Sequence, residues 1–279
     1  MPPKVYDSNS LDEAPVPLPS SPPIELNRDI IIQPPLTRRG TGPGLIIILP
    51  DPSKLGPSTE VKVLDPEPVM KWAEEGFAVA AVTVSGSDPE FSLILRQCCD
   101  ALSALHQVNN KETFGVLSKH MKSMEIMIHH LNVCNVIVHD PANAPPILSS
   151  ITRILESDIR IVCLIIYGFV PSSSLPVPAL LHLHLGLANQ LSTSDVVVHR
   201  YESTSPYFVF PRKTDYDPGV AAIAHTRTLT FLRSHLNGPI FDLEAIWEEH
   251  TRFEFEVRSV AKTMGTMVVC LSTFPIHPF

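Results

Sequence analysis

The chain has 279 residues, of which 44% are apolar and 18% are charged, a composition that suits a compact domain with a sizeable core and excludes a disordered chain. Its net charge of −8 comes without a cluster of basic residues, which argues against a nucleic-acid-binding protein. The longest strongly apolar run, Ile161 to Val170, is well short of the roughly 20 residues that span a bilayer, so we expect no membrane segment and a cytoplasmic protein.

The beginning of the chain has a composition of its own. Residues 1–23 carry seven prolines together with serines and acidic side chains. Such a segment has too little apolar surface to offset the entropy lost on ordering. We predict a disordered, proline-rich arm over residues 1–23.

From Ile24 onward, short apolar runs bounded by proline or glycine alternate with stretches of helical periodicity. The predicted strands are Asp29 to Gln33, Gly44 to Pro50, Phe77 to Val84, Val133 to Val138, Ile159 to Tyr167, Pro176 to Leu185 and Asp195 to Tyr201. The predicted helices are Asp65 to Glu75, Phe91 to Leu105, Ile147 to Glu156 and Pro218 to Leu236. Nearly every strand is apolar throughout, which predicts an α/β fold with a doubly wound, mostly parallel sheet covered by helices on both faces.

The C-terminal region reads as a helical extension with too little chain after it to cover its apolar side. Residues 239–267 have the pattern of one helix, and residues 268–279 read as an irregular tail. We expect Trp247, Phe253 and Phe255 to be incompletely covered, and exposed aromatic surface of this kind favours self-association.

Several stretches resemble fungal members of the dienelactone hydrolase family, within the α/β-hydrolase superfamily. They are Pro35-Leu-Thr-Arg-Arg-Gly-Thr-Gly-Pro-Gly44, Trp72-Ala-Glu-Glu-Gly-Phe-Ala-Val79, Tyr167-Gly168, Pro178-Ala-Leu-Leu-His182, and the segment from Tyr216 through His225-Thr-Arg-Thr-Leu-Thr-Phe-Leu232. The resemblance implies an α/β-hydrolase domain over residues 24–238. It also implies that Phe241 to Met267 leads into a second domain, similar to nuclear transport factors (SnoaL-like), which is missing here.

The resemblance further implies where a catalytic triad would stand. The family holds a Cys or Ser nucleophile in a Gly-x-Cys/Ser-x-Gly elbow after a strand, and here Pro141 falls at that position after Val133 to Val138. The acid position is occupied by Asn189 and the histidine position by Pro206. None of the three has the group that hydrolysis needs. We therefore predict a catalytically silent or very weak module, with no cofactor, that binds a small carbonyl compound or a protein partner.

The alternative function is an active ester or lactone hydrolase with a rearranged nucleophile and base. Cys134 and His199, with Asp195 or Asp140 to orient the imidazole, are the residues such a site would use. Cys134 lies inside an apolar strand without small neighbours, which disfavours this arrangement.

Two other patterns invite a functional reading that we consider weaker than a structural one. His182 and His184 alternate on a strand and share a face, but no third ligand stands near them in sequence, so no metal site is predicted. The glycine-rich loop from Arg38 to Gly44 precedes a strand and not a helix, which favours a turn over a phosphate cradle. The five cysteines show no ligand or disulfide spacing, and we expect reduced, mostly buried thiols.

Overall fold

The computed structural model describes residues 5–16, 21–37, 39–55, 57–59, 63–83, 91–108, 134–139, 148–149, 151–153, 161–171, 174–175, 177–184, 196–202, 205–236, 238 and 241–267. Its centre is one eight-stranded sheet. The strands are β1 (Ile24–Glu25), β2 (Ile30–Gln33), β3 (Gly44–Leu49), β4 (Ala78–Thr83), β5 (Cys134–Val138), β6 (Ile161–Tyr167), β7 (Ala179–Leu183) and β8 (Val196–Arg200). They lie in the order β1-β2-β4-β3-β5-β6-β7-β8.

The sheet is mostly parallel, as the apolar strands predict. β2 runs antiparallel to β1 and β4, and all neighbouring pairs from β4 to β8 are parallel. β7 is buried at all five positions, and β3 and β4 at all but their last. β8, at the edge, has only partly buried and exposed residues. A strand covered on both faces can be apolar at every position, and this is why β3, β4 and β7 show no alternation.

Helices cover both faces of the sheet, which confirms the predicted fold class. α2 (Phe91–Ala104) belongs to the core on one face, together with Ile46 and Ile48 of β3. α1 (Pro68–Glu74) and α3 (Pro218–Leu236) belong to the core on the other face, with Leu45 and Ile47. Successive residues of β3 thus supply opposite cores, as the two-residue period of a strand requires.

The glycine-rich loop before β3 is a turn pressed against the start of β4. Gly40 has a φ of 64°, and its amide donates to the carbonyl of Thr37 (2.8 Å). The amide of Gly42 donates to the Gln107 carbonyl (2.9 Å), and a Cβ atom added at Gly42 would lie 1.6 Å from the carbonyl oxygen of Gly76. The glycine at position 42 is therefore required by a close backbone approach and not by a ligand.

The C-terminal segment, predicted as one helix, is divided in the structure. α4 (Leu243–Thr251) continues as a π-helical stretch (Arg252–Val257), and α5 (Val260–Met267) begins after a break. The break occurs at Arg258, which has a left-handed φ of 55°. Within the described part of the chain, no helix combines the length and apolar character needed to cross a bilayer.

Residues 5–16, which fall in the predicted arm, lie against α5. The carboxylate of Glu13 accepts hydrogen bonds from the amides of Val260 and Ala261 (2.9 and 3.2 Å). Lys262 pairs with Asp12 through a contact of 2.6 Å. A carboxylate on the first amides of a helix satisfies donors that have no intrahelical partner, so Glu13 acts as an N-terminal cap supplied from the far end of the chain. The predicted domain boundaries stay predictions.

Candidate functional site at the carboxyl edge of the sheet

Four aromatic or imidazole side chains lie side by side where strands β5 to β8 end. His139 directly follows β5, Tyr167 is the last residue of β6, His182 lies near the end of β7, and Tyr201 directly follows β8. Val138 is in register with Ile166 and Tyr167 with His182. Residues in register on parallel strands point to the same face, and the four rings therefore form one line, here called the ring row.

The rings of this row stack on one another. His139 and Tyr167 have ring centroids 4.4 Å apart, and Tyr167 and His182 are also 4.4 Å apart with their planes within 19°. Tyr201 stands 5.6 Å from His182. His182 is fully buried, and Tyr167 and His139 are 2% and 3% exposed. The ring row is thus part of the core beneath α3 and not an open surface.

One hydroxyl of α3 connects the middle of the row. Thr228 Oγ1 lies 2.8 Å from His182 Nε2 and 3.1 Å from the hydroxyl of Tyr167. The hydroxyl of Tyr201 lies 2.7 Å from His182 Nδ1. Both nitrogens of His182 are therefore occupied by hydroxyl groups, which leaves the imidazole no lone pair for a metal ion or a substrate proton.

Burial decides the charge state of the row. It lowers the pKa of His182 well below its ordinary value, and the nearby His199, His139 and Arg227 lower that pKa further. Burial also raises the pKa of the Tyr167 hydroxyl, and the hydrogen bond with Thr228 acts in the opposite direction. The imidazole and the phenol are both neutral near pH 7, since the charged form of each is disfavoured away from water.

His139 is the exception in its hydrogen bonding. Neither of its ring nitrogens has a hydrogen-bond partner among the described residues, and burial lowers its pKa to about 3. It borders a cavity of about 20 Å³, which is large enough for one oxygen-sized group. The cavity is lined by Pro66, Pro68, Lys71, Trp72, His139, Tyr167, Val209, Ala221 and His225. A neutral imidazole in this position offers one N–H donor and one acceptor.

Paired charges stand at the outer rim of this cavity, between α1 and α3. His225 Nε2 lies 2.9 Å from the carboxylate of Glu75, and this hydrogen bond is the main cause of the lowered pKa of Glu75. Lys71 and Tyr216 both donate to Asp65, at 2.8 and 2.6 Å. These groups are partnered with one another. His225 and Glu75 link α3 to the end of α1, and Asp65 joins Lys71 of α1 to Tyr216, which precedes α3.

Of the three residues predicted at triad positions, one lies within the described part of the chain. Pro141 and Asn189 lie outside the described residues. Pro206 lies in a half-buried turn that follows β8, and its assignment to the histidine position stays a prediction. Two residues on, the buried ring of Phe208 stands 5.3 Å from Tyr201 and 6.1 Å from Tyr167. The loop that carries Pro206 thus folds back onto the ring row.

The substitute nucleophile and base are not brought together. Cys134 is the first residue of β5, whereas His199 lies near the end of β8, and β6 and β7 stand between these two strands. Three strand spacings amount to about 14 Å, far beyond a hydrogen bond. Asp195 and Asp140 lie outside the described residues. Among the described residues, Cys98, Cys99 and Cys163 are buried thiols that take part in no disulfide.

The described residues also contain no group of three or more His, Cys, Asp or Glu side chains that could hold a metal ion. His182 has both nitrogens engaged, and the partly buried His184 lies just past the end of β7. The pair shares a face of the strand without forming a ligand set.

Sequence reasoning missed the ring row, although a signal for it was present. Three of the predicted strands end in, or are followed at once by, His139, Tyr167 or Tyr201, and the strand predicted from Pro176 to Leu185 carries His182 and His184 near its end, all in otherwise apolar sequence. The carboxyl ends of parallel strands meet at one edge of the sheet, so these polar rings had to be neighbours. Thr228 could not be found in this way, because α3 follows far along the chain.

Replacing Thr228 with valine is expected to lower the free energy of unfolding by about 2 kcal/mol, because the isosteric change leaves His182 and the Tyr167 hydroxyl short of a buried partner. Urea denaturation followed by circular dichroism measures the loss. Thr230 is the matched control, since it is exposed on the same helix and its hydroxyl donates to the Thr226 carbonyl. A Thr228→Val loss no larger than that of Thr230→Val would contradict the prediction.

Comparison with known proteins assigns no family to this chain. No family model matches the chain, and no curated protein matches it. Among solved structures, it is similar to an acylaminoacyl peptidase of Pyrococcus horikoshii, with 11% identity and a TM-score of 0.46 over 81% of this chain and 43% of that one. The chain therefore spans less than half the length of that protein. Its own strand order, with β2 reversed in an otherwise parallel sheet from β2 to β8, is that of an α/β-hydrolase fold.

Proposed function

We propose that this chain is a module of the α/β-hydrolase fold, similar to the dienelactone hydrolases, that has lost ester and lactone hydrolysis. One observation carries the proposal. At the sheet edge where this fold places its catalytic groups, the side chains of β6 to β8 are engaged with one another, and both nitrogens of His182 are taken by hydroxyls. An imidazole that is buried, neutral and fully hydrogen-bonded does not serve as a general base.

The loop after β8 supports the same proposal. By the resemblance to dienelactone hydrolases, Pro206 stands at the position of the catalytic histidine, and its side chain has no proton acceptor. Its polar neighbour Ser205 donates to Asp215 (2.9 Å) and accepts from the amide of Tyr207 (3.1 Å). These contacts give Ser205 a structural role in the turn. Pro141 and Asn189, by resemblance, lack the nucleophile and the acid.

The ligand class that we propose is a small carbonyl compound, bound and not transformed. A carbonyl oxygen accepts hydrogen bonds, and the N–H of the neutral His139, which has no partner among the described residues, lies beside a cavity that fits one oxygen atom. Binding of an uncleaved dienelactone, followed by isothermal titration calorimetry, should be weakened in His139→Phe. Equal binding by the two proteins would rule out His139 as the donor.

We expect no turnover of aryl esters or of dienelactone above the buffer rate, because loss of the nucleophile alone removes the covalent route. The measurement is p-nitrophenyl acetate hydrolysis, together with labelling by a fluorophosphonate and by iodoacetamide. A dienelactone hydrolase with an intact triad is the positive control. A burst of product with stoichiometric labelling of Cys134, or of a serine near the expected elbow such as Ser149, would overturn the proposal if Cys134→Ala or Ser149→Ala abolished it.

The alternative function, hydrolysis by a rearranged nucleophile and base, has no comparable support. The pair that it would use, Cys134 and His199, is separated by two intervening strands. The labelling experiment above distinguishes the two functions, since only the active enzyme reacts at a defined residue.

A further inference from the structure

A groove on the C-terminal helices combines apolar surface with one charge of each sign. It has a volume of about 490 Å³ and lies between α5, the π-helical stretch and the beginning of the chain. Its lining residues are Tyr6, Glu254, Phe255, Arg258, Ser259, Val260, Thr263 and Met264. We call this surface the C-terminal face.

The apolar residues of the C-terminal face are unusually exposed. Phe255 is 62% exposed, Val260 55%, Met264 51% and Tyr6 48%. Phe253, in contrast, is partly covered, because Arg252 and Lys262 lie 4.8 and 5.9 Å from the centre of its ring. Four large apolar side chains around one groove form the kind of contiguous patch that marks a protein contact.

The charges of the C-terminal face are complementary to each other. Glu254 is half exposed, and its carboxylate lies 3.6 Å from His250 Nε2. Arg258 is exposed, and among the described residues no ion pair engages it. A surface that carries both an acid and an unpaired base beside an apolar centre fits a rotated copy of itself, because a two-fold axis brings each charge opposite its counterpart.

We propose that the C-terminal face binds a second copy of this chain, in a two-fold symmetric dimer with Arg258 of each protomer facing Glu254 of the other. Phe255, Val260 and Met264 form the apolar centre, and Tyr6 adds an aromatic ring from the arm. The proposal is independent of hydrolysis. The arm is part of the dimer surface because Glu13 and Asp12 hold it against α5.

Charge reversal tests the pairing directly. In the Arg258→Glu variant, two repulsive contacts between carboxylates replace the two ion pairs of each dimer. We therefore expect the dissociation constant to rise by at least about tenfold. Glu254→Arg should weaken the dimer in the same way. The double variant Glu254→Arg/Arg258→Glu restores opposite charges and should recover most of the affinity. Leu93→Ser is the matched control, since Leu93 is 51% exposed on α2, away from this face.

The experiment is sedimentation equilibrium on the full chain over about 1 to 100 µM, a range that brackets weak protein association, with circular dichroism to verify folding. Phe255→Asp, at an exposed position, should also give monomer and needs no charge pairing. A monomeric wild-type chain at every concentration, or a double variant no better than either single one, would overturn the proposal. So would dimerisation that appears only after residues 268–279 are deleted, because the tail would then be the occupant of this face.

Discussion

The His139→Phe variant is expected to resist acid better than the wild-type chain, by about 3 kcal/mol of unfolding free energy at pH 4.5 relative to pH 7.5. His139 is 3% exposed, its nitrogens have no hydrogen-bond partner in the described part of the chain, and its pKa is lowered to about 3. Phenylalanine has a similar shape and suits the rings of Tyr167 and Phe210, which lie 4.4 and 5.4 Å away. The substitution therefore removes a proton-binding group without removing a hydrogen bond.

The direction follows from proton linkage. Between the folded pKa of about 3 and the ordinary value of 6.5, the unfolded chain binds a proton at His139 and the folded chain does not. Above pH 6.5 His139 is neutral in both states and does not lower the free energy of unfolding. As the pH falls from 6.5 towards 3, protonation of His139 in the unfolded chain lowers that free energy progressively. His182, whose pKa is also lowered by burial, is unchanged in the variant, so the difference between the two proteins isolates His139.

Urea unfolding at a series of pH values from 7.5 to 4.5 provides the measurement. His106→Phe is the control, because His106 is exposed and the variant carries the same change of side chain outside the core. Parallel profiles for His139→Phe and the wild-type chain would mean that His139 binds a proton in the folded state. Its burial would then have to be relieved by local opening.

Gly42→Ala is expected to lower the free energy of unfolding by about 3 kcal/mol or more, as in other cases where backbone must move to admit an atom. The added Cβ would lie 1.6 Å from the Gly76 carbonyl oxygen and 2.8 Å from its carbon. No rotamer relieves this contact, because both neighbours are main-chain atoms. The turn would have to leave the start of β4, where the Ala78 amide donates to the Pro43 carbonyl (2.9 Å).

Alanine substitutions at two other glycines distinguish the effect of steric crowding from the effect of backbone conformation. Gly40 has open space around it but a φ of 64°, so Gly40→Ala should cost only about 1 kcal/mol. Gly219 lies in α3 with its nearest neighbour, Asp217 Oδ1, at 3.6 Å, and Gly219→Ala should stabilise by about 0.5 to 1 kcal/mol. Thermal unfolding of the three variants checks this order, and equal destabilisation at positions 40 and 42 would refute the crowding argument.

The sheet could be predicted from sequence because central strands such as β3, β4 and β7 are buried on both faces. Gly44–Leu49 and Ala78–Thr83 differ from the predicted strands by a residue or two at their ends. The short β1 was missed, since a two-residue strand with both residues exposed leaves no apolar pattern. The break at Arg258 was missed as well, because neither glycine nor proline marks it and the left-handed conformation falls on an arginine.

The candidate site could be predicted only in part. The strand ends that carry His139, Tyr167 and His182 follow from the order of apolar runs. Their mutual distances do not, because these depend on which strands are neighbours in the sheet. The contacts of Thr228 lie 46 and 61 residues away along the chain, a separation that no local pattern reveals.

The contacts between the arm and α5 join the two ends of the chain, and they can therefore form only late in synthesis. Asp12 and Glu13 bind residues that follow them by 247 to 250 positions, so these partners leave the ribosome on the order of 10 to 50 s after the arm itself. The sheet strands up to β8 are complete before α5 exists, and we expect the arm to dock last. Contacts made after the folding barrier slow unfolding without speeding folding. The arm therefore acts on the lifetime of the folded chain, and its removal should shorten that lifetime while leaving the refolding rate unchanged.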